Sequence, residues 1–191
     1  YAELAALFDL DVPEKTAVCI FADKEEIGSD GVTGMQSAAF DTFMEDLCEG
    51  QGVSLRACYE KSFCLSADVN AAYDPNFGEV FEKRNSALLS CGTVLTKYTG
   101  SRGKGGTNDA SAEYIGWLRG IMQKDNVLWQ SGELGKVDCG GGGTVAKFIS
   151  KHNIETVDLG VPVLSMHAPY EVVSKVDVYE TYRAFRAFCK Y

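Results

Sequence analysis

The sequence predicts an α/β protein, a three-layer αβα sandwich around a mostly parallel mixed sheet, and three observations lead there. Short apolar runs recur along the chain: TAVCIFA, SFCLSADV, GTVLTKYT, VLWQSGEL and TVDLGVPVLSM. Between them lie stretches with apolar residues at helical spacing, such as SAEYIGWLRGIMQKDN. Strands alternating with helices build a parallel sheet covered on both faces. Finally, no repeat, linker or low-complexity run divides the 191 residues, enough for one domain with a sizeable core.

In chain order, YAELAALFDL reads as the end of an amphipathic helix, broken by Pro13. TAVCIFA (residues 16–22) is apolar on both faces, as in a central parallel strand. A helix follows in GVTGMQSAAFDTFMEDLCEG and stops at Gly50 and Gly52. Residues 62–69 give the second strand, NAAYDPNFGEVFEKRN a polar loop, and residues 92–99 the third strand. SRGKGGTND reads as a flexible, basic, glycine-rich loop, with Asn108 or Asp109 placed to cap the next helix. VLWQSGEL is strand-like, CGGGGTVAKFISKHN a glycine loop that becomes a helix, and residues 156–166 another buried strand. In the closing helix, SKVDVYETYRAFRAFCKY, one face carries Val176, Val178, Tyr179, Tyr182, Phe185 and Phe188.

The composition is that of an ordinary globular protein, 46% hydrophobic and 24% charged. A net charge of −9 argues against nucleic acid, which needs a basic face. The seven cysteines are odd in number and form no CxxC pair, so they read as free thiols rather than a disulfide framework or zinc ribbon. No apolar stretch approaches membrane-spanning length, and the expected setting is cytoplasmic, with no membrane partner.

Sites in parallel sheets form beyond the carboxyl ends of strands. Glu25 and Glu26 stand there in ADKEEIGSDG, Asp68 ends the second strand, and His167 ends the last. Adjacent carboxylates repel unless a cation or solvent absorbs the charge. Carboxylates with one imidazole suit divalent ions of the zinc type. One glutamate then holds the ion while its neighbour takes a proton from water and passes it to a leaving amine. Taken singly, each group also has a plain reading: a solvated turn, a cap, a hydrogen-bonded structural histidine. The run CGGGGT is either a cradle for an anion or a tight turn needing positive φ. Glu133 and Asp138, beside it, read as solvated, and His152 as a surface or capping residue.

ADKEEIGS, SADVNAAYDPNF and DLGVPVLSMHAPYE, in this order, closely resemble signatures of the M18 family of metalloaminopeptidases, most strongly its bacterial branch. The resemblance runs through essentially the whole chain. It implies a sandwich of the zinc-peptidase (phosphorylase/hydrolase-like) type and a homo-oligomeric exopeptidase with two divalent ions, zinc foremost and cobalt or manganese as alternatives. It implies removal of N-terminal residues from peptides. The family pattern places the general base on Glu25, a ligand of one ion on Glu26, a ligand of the other on Asp68, and on His167 a ligand sharing the ion of Glu26. Lys97, Gly142, Gly143 and Thr144 fall on substrate-lining positions of the family. The family's remaining histidine and bridging aspartate ligands correspond to residues upstream of Tyr1, so residues 1–191 read as a single carboxy-terminal portion of the catalytic domain. Ala71 and Ala72 stand where many members carry a histidine, which removes a substrate contact. Two further readings stay open: a non-catalytic fragment or oligomer-assembly module, and a nucleotide-binding domain using the glycine turn, although G-x-G-x-x-G is missing.

Overall fold

Apolar residues at period two or at helical spacing decide which segments pack, and hydrogen-bond partners decide which of them become strands. The structure, a computed structural model, describes residues 1–102 and 105–191. The chain runs α1 (Ala2–Phe8), α2 (Ala39–Glu49), α3 (Leu55–Tyr59), β1 (Phe63–Ser66), β2 (Asn70–Ala71), β3 (Thr93–Thr96), β4 (Tyr98–Ser101) and β5 (Gly105–Asp109). It continues through α4 (Ala112–Lys124), β6 (Trp129–Ser131), α5 (Ala146–Ser150), β7 (Glu155–Gly160), β8 (Pro162–Leu164), β9 (Val172–Val173) and α6 (Lys175–Lys190).

The main sheet has the order β1-β7-β3-β6. β1 lies parallel to β7 and β3 parallel to β6, whereas β3 and β7 are antiparallel. The sheet is therefore mixed and mostly parallel, as the sequence predicts. Successive side chains of β1 face opposite ways. Leu65 enters a core with Val157 and Leu159 of β7, Leu118 and Met122 of α4, and Ala184 and Phe185 of α6. Cys64 packs on the other face against Met44 of α2, Tyr59 of α3 and Ile149 of α5. Leu118 and Met122 are fully buried, worth roughly 1.5–3 kcal/mol each. A smaller sheet, β2-β8-β9, pairs β2 with β8 in parallel and closes on an antiparallel β9.

Several expectations change. Residues 16–22 are not a strand: the segment has no ladder partner among the described residues, and Val18, Ile20 and Phe21 are 38%, 38% and 65% exposed. Apolar composition favours burial, but a strand also needs a neighbour to take its N–H and C=O groups. The glycine-rich loop is instead the β4–β5 hairpin, with Tyr98 opposite Asp109 and Thr99 opposite Asn108; its residues 103 and 104 lie outside the described residues. Asn108 is committed to this hairpin, so the cap of α4 is Ser111, whose Oγ accepts from the Tyr114 N–H at 3.1 Å. The stretch 156–166 divides between two sheets at Val161. On α6 the buried face is Asp177, Glu180, Thr181, Ala184, Phe185 and Ala187, while Val176 and Tyr179 are exposed. Buried acids, not apolar residues, begin this helix because they serve the backbone of neighbouring loops.

Candidate metal site

The carboxylates of ADKEEIGSDG ride on a single 3-10 turn, Glu25–Ile27. Left-handed residues bracket it, with Lys24 at φ 62° and Gly28 at φ 91°. Ser29, also at positive φ and buried, closes the loop by donating its N–H to the Lys24 carbonyl at 2.8 Å. Gln36 clamps the turn from outside, its Nε2 donating to the Gly28 carbonyl at 2.7 Å and to Asp30 Oδ1 at 2.9 Å. Non-glycine residues held at positive φ cost energy that the surroundings must supply, which is common where side chains are aimed at a site.

Asp68 leaves β1 half-buried, and its Oδ1 accepts from the Val69 N–H at 2.8 Å. Gly160, at the end of β7, lets this backbone through: a Cβ there would sit 1.7 Å from the Asp68 carbonyl oxygen. His167 lies between β8 and β9 in a turn with Ser165 and His167 at φ 58° and 67°. Its own N–H donates to Glu171 Oε1 at 2.5 Å.

These elements bring the four predicted side chains together. His167 Nδ1 and Glu26 Oε1 are 3.7 Å apart, both well exposed. Burial pushes the Glu25 carboxyl up, the charges of Asp68 and Glu26 push the same way, and His167 and Lys147 pull it down. Burial also raises Asp68; the Val69 N–H and His167 oppose this, while Glu26 adds to it. The site thus gathers three carboxylates beside one imidazole.

The donor chemistry fits zinc. Two ligands on one tetrahedral zinc, each about 2.0–2.2 Å from the ion, stand roughly 3.3–3.6 Å apart, close to the 3.7 Å between Glu26 and His167. Among the described residues no third acid, histidine or cysteine joins them at metal-ligand spacing.

The other predicted positions have partners of their own. Lys97 follows β3, which runs against β1 and β7, and its ammonium pairs with Asp109. The glycine turn packs on the β4–β5 hairpin: Gly141, at φ 98°, leaves no room for a Cβ, which would meet the Gly100 carbonyl oxygen at 2.1 Å. Gly142 faces open space. Thr144 is buried and donates to Asp158 Oδ2 at 3.0 Å.

Three residues escape the sequence reading. Asp158 is buried within β7, accepts from Ser66 Oγ at 2.6 Å, and burial raises its carboxyl to about 7. An acid inside the apolar run TVDLGV was its signal. Glu133 is half-buried rather than solvated, and burial raises it to about 7 as well. Lys147 stands near enough to Glu25 to act on its charge. His152, by contrast, is not a free surface residue: it packs on Tyr59 and Phe40 and approaches Asp41 at 3.5 Å.

Residues 1–189 match the family model of the aminopeptidase I zinc metalloproteases. The chain belongs to the M18 family. Its M18 relatives include probable M18 family aminopeptidase 1 of Clostridium acetobutylicum, 48% identical over 98% of the chain and 41% of the relative. The crystal structure of aminopeptidase I from that organism superposes with a TM-score of 0.93 at 48% identity, covering all of this chain and 42% of that one. An M18 aminopeptidase from Thermotoga maritima gives a TM-score of 0.95 at 41% identity, with 100% and 43% covered. The chain spans less than half the length of the M18 relatives it matches.

Proposed function

We propose that this chain carries part of the active site of a metal-dependent aminopeptidase that hydrolyses the N-terminal peptide bond of peptides using two divalent ions. One observation supports it most: Glu26 and His167 face each other at 3.7 Å, beside Glu25 and Asp68, in a family of zinc metalloproteases. Glu26 and His167 would hold one ion and Asp68 the other. Zinc, when bound, supplies a Lewis acid that polarises the scissile carbonyl and lowers the pKa of water. Cobalt or manganese would suit the same donors.

Glu25 is the general base. Its carboxylate accepts a proton from the attacking water and returns it to the departing amine. Gly142 and Gly143 offer backbone N–H groups to the substrate. Thr144 contributes by fixing that turn, since its hydroxyl is occupied by Asp158. Lys97 extends the substrate surface next to Asp109 and Glu133. The same reading includes a homo-oligomeric assembly in a cytoplasmic setting.

In the full protein, Glu25→Gln is expected to keep its zinc by elemental analysis and lose peptidase turnover by roughly 10²–10⁴-fold. Light scattering on the same samples reads the assembly state. Wild-type turnover in that variant removes Glu25 from the mechanism. A second reading, a non-catalytic assembly module, draws on the absence of a third converging donor among the described residues. Calorimetric titration showing no zinc uptake by the full protein would favour that module.

A further inference from the structure

Glu25 and Glu26 share one short turn, so a tilt of that turn displaces both carboxylates at once. Hydrogen bonds within the turn set its shape but not its direction: the Gly28 N–H donates to the Glu25 carbonyl at 2.9 Å and the Ser29 N–H to the Lys24 carbonyl at 2.8 Å. Direction comes from residues 33–36, which double back along it. The Thr33 hydroxyl donates to Asp23 Oδ2 at 2.8 Å, just before the turn. The Gly34 backbone passes so near that a Cβ there would lie 2.2 Å from the Ser29 carbonyl oxygen. Gln36 then binds the residues just after the turn. Its N–H donates to the Ser29 carbonyl at 3.1 Å, and its Nε2 to the Gly28 carbonyl and Asp30 Oδ1 at 2.7 and 2.9 Å.

The other end of this brace lies in the core. Met35, next to Gln36, packs against the cluster of Met44 in α2, Tyr59 in α3 and Ile149 in α5, and α2 itself begins at Ala39. Residues 35 and 36 thus divide two tasks. One apolar side chain anchors the backbone, and one amide reaches out to the turn. An amide suits the second task, because its two N–H donors can meet a carbonyl and a carboxylate oxygen together.

We infer that Gln36 is a positioning residue, which aims the turn from the core so that Glu26 meets His167 and Glu25 faces the attacking water. This inference rests on the aminopeptidase reading above. Gln36 is exposed, so its replacement opens no cavity and leaves the core intact. Aim is more sensitive than stability here: a shift of about 1 Å in a reacting group costs on the order of 10²-fold in rate.

The test uses the full protein. Gln36→Met keeps the side-chain length and removes both donors, whereas Gln36→Lys returns a donor to the same two oxygens. In Gln36→Met, kcat is expected to fall roughly 10- to 100-fold with KM within about twofold of wild type. Its zinc dissociation constant, measured by chelator competition on the metal-free protein, should rise about three- to tenfold, while the urea midpoint stays in place. Gln36→Lys should recover most of both losses. Wild-type kcat and zinc affinity in Gln36→Met overturn the inference. So does a loss that Gln36→Lys does not recover, or one matched by a lowered urea midpoint, since the residue is then structural only. If the wild type cleaves no peptide, the aminopeptidase reading falls and the zinc titration decides alone: unchanged affinity in Gln36→Met overturns the clamp, and weakened affinity recovered by Gln36→Lys upholds it for Glu26.

Discussion

Gly160 shows how a single position sets the site. It ends β7, where the Asp68 backbone crosses so closely that a Cβ would lie 1.7 Å from a carbonyl oxygen. No flexible side chain is present there to yield; backbone must move. Gly160→Ala is expected to lower stability by about 1–3 kcal/mol through overpacking. It should also weaken zinc binding, because Asp68 is what shifts. Urea unfolding and a zinc titration on the same variant check both, and unchanged values for the two would mean that the crossing is not tight. The sequence showed Asp68 and His167 as polar residues closing apolar runs. It did not show Gly160 as their support, since a glycine after TVDL reads as an ordinary strand end.

At the scale of elements, α6 is tied to the sheet by acids. Asp177, fully buried in its first turn, accepts from the N–H groups of Ser90 and Gly92, both at 2.7 Å. Glu180 accepts from the Leu128 N–H at 2.7 Å and holds Arg183 at 3.0 Å. A carboxylate near a helix N-terminus is also favoured by the helix dipole. Asp177→Ala leaves two amides without a partner and is expected to cost about 2–4 kcal/mol. A lowered denaturant midpoint at unchanged slope is the expected result; an unchanged midpoint would show that water replaces the carboxylate. Periodicity located α6 correctly but misread its buried side, because hydrophobic spacing gives no weight to acids that bind backbone. The same limit applies to residues 16–22. Their apolar pattern is that of a central strand, but pairing is a property of two segments, and no second segment is supplied among the described residues.

Across the whole molecule, buried acids make stability depend on pH. Burial lifts Asp158 and Glu133 to about 7, whereas in the unfolded chain such groups titrate near 4. Between these values the folded state binds more protons than the unfolded one, so the contribution of these two groups to stability is fully present below about pH 4, falls as pH rises towards 7 and is lost above. Urea midpoints at pH 5 and pH 8 measure the drop, and Asp158→Asn should remove much of it. A flat profile in the wild type would mean that both groups are solvated. By itself, the sequence determined the α/β class, the mostly parallel sheet and the main helices, and it marked Glu25, Glu26, Asp68 and His167 as candidates, because periodicity and local charge are written in neighbouring letters. Only the tertiary structure decided that the glycine-rich loop is a hairpin, that residues 16–22 have no ladder partner among the described residues, and that Asp158 and Asp177 are buried anchors. Each of those depends on which distant segments meet, and the free energy of a buried charge or an unpaired amide is set by that encounter.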